Sequence, residues 1–260
     1  MGYFVDRRSV VRTIWGRSDL ILLVFAGAAA EFALNRAVDW LFFTNKIPQD
    51  PIGRLFSTVR YAQEIVFAYE QTARQAMNRI NAVHGGVERR RGQSIPEWAH
   101  RDVLYMLIDY SERAHQTLRR PLTRPERQEL YDVFLRVGEG LHVRELPRTY
   151  ADWKSDRQSH LVRDLAYSEY TAKLFGRYRA HLGAWRYELL RMVQAQLVPR
   201  HVGRLLGLRP SLLLSNSLWM YPVFEQLGLK PFIERALLPP QHLEDVRKFE
   251  RPAGLPHTAN

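Results

Sequence analysis

Three side chains in the first third of the sequence stand out chemically: Arg54 and Thr58, then His84, 26 to 30 residues further on. His84 belongs to Arg79-Ile-Asn-Ala-Val-His-Gly-Gly-Val87, where Ile80, Val83, His84 and Val87 share one face at 3.6-residue spacing. An imidazole on an apolar face needs a partner for its ring nitrogens, and a metal ion uses the lone pair fully. Arg54 and Thr58, four residues apart, stand one above the other on another helix beside Phe56. A guanidinium and a hydroxyl turned inward are costly unless they meet a ligand or a buried carboxylate. Each also has a plain structural role open to it. Asp50 can pair with Arg54, Thr58 can bond back to its own helix, and a histidine at a helix C-terminus is favoured by the dipole.

The other titratable residues offer less. Nine histidines are scattered through the chain. His100 and His115 fall on one helix and nearly one face, but 15 residues of rise at ~1.5 Å each put them too far apart to grip one ion. Glu112-x-x-His115 is a single copy of a spacing that di-iron bundles need twice. Phosphate-binding loops, dinucleotide fingerprints, nucleophile elbows and zinc-protease helices are missing. With no cysteine, disulfides, zinc ribbons, thiolate-ligated haem and iron–sulfur clusters are excluded, which fits a reducing, cytoplasmic setting. The 38 Lys+Arg against 27 Asp+Glu give a net charge of +11. That excess attracts anions, but arginines spaced along helices chiefly make solvated faces and ion pairs.

The elements that must position these side chains read as helices throughout, apart from slight strand character at 3–5. Arg7-Arg8 followed by the apolar run Leu20–Ala30 resembles an export signal. However, Asp19 and Glu31 bracket the run, and its eleven residues fall short of the ~20 that span a bilayer. A core helix over 20–43 is the better expectation, followed by helices over 50–68 and 70–84, the last stopped by Gly85-Gly86 and followed by a basic loop over 88–93. Ser94-Ile-Pro-Glu97 and Thr123-Arg-Pro-Glu126 have the form of capping boxes opening two more helices. Another begins near Thr149, and a long one spans 164–197. The expectation is one all-α domain over 1–260: a core at 19–200, a helical extension at 201–245 and a frayed tail at 246–260.

Taken in order, Leu22–Ala30, Asp50-Pro-Ile-Gly-Arg-Leu-Phe-Ser-Thr58, Val66-Phe-Ala68, Val83-His-Gly-Gly-Val87, Pro96-Glu-Trp-Ala-His100, Pro121-Leu-Thr and Leu146-Pro-Arg-Thr149 carry a resemblance. The chain resembles the family of latex-clearing rubber oxygenases and the fungal enzyme that cleaves the prenyl chain of a mycophenolic acid precursor, over about residues 19–200. The resemblance implies an all-α domain with a haem-sized central pocket holding haem b. It makes His84 the axial iron ligand and Arg54 and Thr58 the polar pair beside the haem, with His100 of Trp98-x-His100 as rival ligand. The implied reaction is O₂-dependent cleavage of an isoprenoid-like double bond in a small hydrophobic substrate, with no specific nucleic acid involved. Two positions depart from the family pattern. Ser57 stands where the rubber-cleaving branch has Lys, and Glu31–Arg36, with Asn35-Arg36, where many relatives carry Gln and His-Pro.

A reading of a different class is a non-catalytic basic helical protein that binds an acidic membrane surface or nucleic acid through Arg89–Arg91 and Arg119-Arg120. Few aromatic residues interleave with those arginines, so a single-strand stacking platform is not indicated.

Overall fold

Residues 20–30 are apolar on every side, and such a helix has to be enclosed by others. The computed structural model, which describes residues 2–43, 51–211, 220–228, 230, 235–236 and 238–251, encloses it. In chain order the helices are α1 (Val10–Trp15), α2 (Ser18–Phe32), α3 (Asp39–Phe43), α4 (Pro51–Val66), α5 (Glu70–Arg91), α6 (Glu97–Leu118) and α7 (Arg124–Gly140). After them come α8 (Tyr150–Arg163), α9 (Glu169–Leu182), α10 (Ala184–Leu197), α11 (Arg200–Leu206), α12 (Tyr221–Gln226) and α13 (Leu243–Arg247). The described residues form one all-α domain around one core, without strands; Tyr3 and Tyr69 share an isolated bridge. None of the described helices is long and apolar enough to cross a membrane.

α2 packs most extensively on α6, with α10 and α1 also against it. The approach to α6 is close enough to require glycine: a Cβ on Gly27 would lie 2.2 Å from the Tyr110 ring. The flanking acids are buried with the helix. Glu31 receives both Arg157 Nη atoms of α8 at 2.6 Å and the Tyr110 hydroxyl at 2.9 Å. At the other end, Asp19 accepts from Arg17 at 2.8 Å, Arg119 at 3.2 Å and the Tyr221 hydroxyl at 2.9 Å.

Several boundaries differ from the sequence expectations. The first long helix ends at Phe32 rather than 43. Asn35 Oδ1 accepts from Ala37 N, its own backbone bridges to distant Leu165, and together these bonds outcompete the helix. Gly85-Gly86 does not stop α5. Helix continues through 88–91, where a loop is expected, and ends at Gly92 with φ +69°, the left-handed cap glycine adopts readily. The two interior glycines cost roughly 1 kcal/mol each and are carried by the 22-residue helix around them. The first helical residue of α6 is Glu97, with Pro96 as its cap and no side-chain capping bond, so Ser94 opens no box. The Thr123–Glu126 box is present in full, and Thr149 caps α8 through Asp152 N. The long helix over 164–197 begins at Glu169 and breaks at Gly183 (φ +76°). The tail is no frayed end as far as residue 251. Val246 and Phe249 are buried, Gln63 Nε2 donates to the carbonyls of Trp15 (2.8 Å) and Phe249 (2.7 Å), and Arg251 N bonds Gly16 O. Residues 252–260 lie outside the described set.

Two substitutions test this core. Gly27→Ala drives a methyl into Tyr110 and lowers unfolding free energy by about 1–3 kcal/mol in urea titrations. Arg157→Met leaves Glu31 buried without its cation, takes one of three from Asp109, and costs about 3–5 kcal/mol in the same measurement.

Candidate functional site

α2, α4, α5, α6 and α7 do not close on one another completely. Between them lies a largely apolar cavity of about 360 Å³, within the ~300–1,000 Å³ typical of small-molecule and cofactor sites. Small side chains make the room: Ala28 and Ala29 on α2, Ala62 on α4 and Ala99 on α6 line it. Phe25, Phe32, Ile65 and Leu104 complete much of the apolar wall.

Arg54, Thr58, His84 and His100 all line this cavity, so the structure brings together the four side chains the sequence singles out. Arg54 and Thr58 come from α4, His84 from α5 and His100 from the first turns of α6. Val83, expected on the same inward face as His84, is 50 % exposed and sits at the rim. A 3.6-residue period places it about 100° round the helix from His84, which spreads the face too far to bury both.

His84 forms no hydrogen bond among the described residues. Its ring neighbour is His100, with centroids 5.0 Å apart and planes tilted by 48°. Burial, then the nearby His100 and Arg54, push the His84 imidazole down to about 4, so its ring is neutral at pH 7 and a lone pair is available. Burial also lowers His100. Two imidazoles gripping one ion from opposite sides would have centroids roughly 6 Å apart, given metal–nitrogen bonds of ~2 Å. At 5.0 Å the rings are closer than that, near the ~5 Å of two imidazoles at neighbouring positions of one tetrahedral ion, so the spacing leaves both rings as candidate ligands.

Arg54 meets no carboxylate among the described residues; Asp50, its expected partner, lies outside them. Its Nη1 donates to Ser57 Oγ at 3.1 Å, and Ser57 in turn donates to the Arg54 carbonyl at 2.7 Å. Ser57 therefore braces the guanidinium. Burial lowers the Arg54 pKa from its ordinary value, the sign of a cation without full compensation. Thr58 Oγ1 bonds back to the Arg54 carbonyl at 3.3 Å, the local role the sequence left open.

With this geometry in view, a family model decides the relationship: "ER-bound oxygenase mpaB/B'/Rubber oxygenase, catalytic domain" matches residues 15–221. The chain belongs to this family. No curated protein matches it. The matched residues contain every motif from Leu22 to Thr149.

Other candidates resolve as structure. His115 Nδ1 lies 2.8 Å from the Arg120 carbonyl, while Glu112 binds Arg127 and the Tyr150 hydroxyl, so Glu112-x-x-His115 faces two sets of partners. Arg89 and Arg90 are exposed, whereas the other three arginines of the basic stretches are paired. Arg91 pairs with Asp39 and lies 3.9 Å over Trp40, Arg119 pairs with Asp19 and Glu225, and Arg120 pairs with Glu126. Sequence reasoning missed Asn35, Trp40, Tyr61 and Tyr178 on the cavity wall, and a second polar cluster of Asp102, His160 and Asp164 behind Asn35. The His160-x-x-x-Asp164 spacing was visible. Nothing in the sequence joined it to Asp102, 58 residues from His160.

The depressed imidazole has a thermodynamic consequence. The unfolded chain takes up a proton on His84 near pH 6.5 and the folded chain only near 4, so stability present above pH 6.5 is lost as pH falls through that window. Allowing for partial exposure, His84→Leu removes about 1–2 kcal/mol of that fall, read as the difference between the pH profiles of the two proteins in urea unfolding.

Proposed function

We propose that this domain is a haem-b-dependent oxygenase that uses O₂ to cleave a carbon–carbon double bond in a small hydrophobic, isoprenoid-like substrate. The observation that carries the reading is a neutral imidazole, His84, with no hydrogen-bonding partner among the described residues, on the wall of an apolar cavity. A ring in that state is a ready metal ligand. The residues present fit the group: one nitrogen donor, an apolar slot, and a partly compensated guanidinium suited to an anionic cofactor substituent. Haem b, when bound, supplies the activation of O₂.

The chain's own residues then have distinct tasks. His84 would offer a ring nitrogen to the iron. Arg54, held by Ser57, supplies the positive charge in the cavity, and Thr58 has a hydroxyl that can turn from its backbone carbonyl toward a ligand. His100, with its ring 5.0 Å from that of His84, limits where that ring can turn. The alanine and aromatic walls exclude water and hold an apolar substrate by burial of its surface.

Reconstitution with haem tests the reading directly. The wild-type chain is expected to develop a Soret band, His84→Ala to lose it and His100→Ala to keep it with altered position. No band, or a band unchanged in His84→Ala, removes the proposal. Arg54→Ala is expected to keep the band and reduce substrate turnover about 10- to 100-fold, as loss of a charged donor worth ~1.5–3 kcal/mol implies.

A further inference from the structure

Behind the cavity wall, three elements bring a second set of ligand-bearing side chains together. Asp102 comes from α6, His160 from the last turns of α8, and Asp164 from the link to α9. One ligand atom from each lies within 4.8 Å of the others, and all three residues are buried. His160 Nδ1 faces both carboxylates, Asp102 Oδ1 at 2.5 Å and Asp164 Oδ2 at 3.0 Å. One N–H can make one good hydrogen bond there, whereas a divalent ion would satisfy the nitrogen and both oxygens together.

We propose that Asp102, His160 and Asp164 form a divalent-cation site, with the Arg163 guanidinium holding the cation position until metal enters. Three observations point this way besides the convergence itself. The ligands have outer partners of the kind that fix metal ligands in place: Asn35 Nδ2 donates to the second Asp102 oxygen at 2.7 Å, and the far nitrogen of His160 looks toward Asp156 at 3.7 Å. Asp156 is itself held by the Tyr105 hydroxyl at 2.6 Å. Arg163 closes the solvent side. It binds Asp164 through Nε at 2.7 Å and Nη2 at 2.8 Å, and that Nη2 is 3.2–3.3 Å from both ring nitrogens, so it lies over the imidazole rather than at one lone pair. Its side chain is 57 % exposed and can swing out without disturbing the core.

The donor set selects the ion. One imidazole nitrogen with carboxylate oxygens and no thiolate suits Zn²⁺ or Mn²⁺; Ca²⁺ and Mg²⁺ prefer all-oxygen shells. A bound ion would tie α6 to the α8–α9 link and, through Asn35, to the segment that follows α2 at the cavity edge. This site is separate from the cavity histidines and does not rest on the haem reading.

Tag-free full-length protein, stripped with EDTA and equilibrated with Zn²⁺, Mn²⁺ or Mg²⁺, tests it by equilibrium dialysis with elemental analysis. The expected result is one equivalent of Zn²⁺ or Mn²⁺ per chain, retained in His84→Ala and not matched by Mg²⁺. Asp164→Asn should weaken binding at least tenfold, while Arg163→Ala should tighten it by removing the competing cation. Circular dichroism confirms that each variant is folded. Failure to bind one equivalent overturns the proposal. So does an affinity for Zn²⁺ and Mn²⁺ that Arg163→Ala leaves unchanged or weakens, a result that stands even where Asp164→Asn does not fold.

Discussion

A helix that is apolar on every side can be buried only if the charges at its ends go in with it. That constraint organises this molecule. α2 carries Asp19 at one end and Glu31 at the other; Asp19 is met by neighbouring Arg17 and distant Arg119, Glu31 by distant Arg157. The Glu31–Arg157 pair is the more demanding. Burial disfavours the charge of Arg157, yet Glu31 and Asp109 hold its pKa above the ordinary value, and Arg113 and Lys154 help hold Asp109 below its own despite burial. Such a cluster contributes little net stability over a well-packed apolar one, but breaking half of it is costly, so it fixes α2, α6 and α8 in a single arrangement.

With α2 held that way, the cavity follows from side-chain size. The alanines that let α2 lie deep in the fold cannot also fill the space toward α4 and α5, and helices crossing at fixed angles cannot close it. A void of this size forfeits packing energy that the rest of the core must offset. The polar groups set into its wall have no better partners nearby: the Arg54 cation is braced by one serine, and the His84 ring meets another imidazole. The function proposed above gives that costly arrangement a purpose.

Helix existence was legible almost everywhere, and stops were legible where the chemistry is local. Thr123 with Glu126, and Thr149 with Asp152, are self-contained caps that need nothing else to form. Stops that depend on context were misread. Gly85-Gly86 looks like a terminus, yet the helix propagates through it because its true cap, Gly92, lies further on. The end of α2 at Phe32 depends on Asn35 bridging to Leu165, a contact made 130 residues away in sequence. The tail over 246–251 reads as loose because the groove that receives Phe249 is built by α1 and α4.

By itself, then, the sequence determined that the chain is helical, that Leu20–Ala30 is interior, and that Arg54, Thr58, His84 and His100 are set apart. Periodicity, capping chemistry and the cost of inward polar groups are properties of short stretches. Only the tertiary structure decided that those four side chains share one cavity, that the His84 and His100 rings lie 5.0 Å apart, and that Asp102 meets His160 and Asp164. Those facts depend on how helices far apart in the chain are placed, and what places them is a set of buried ion pairs whose partners no local pattern can match.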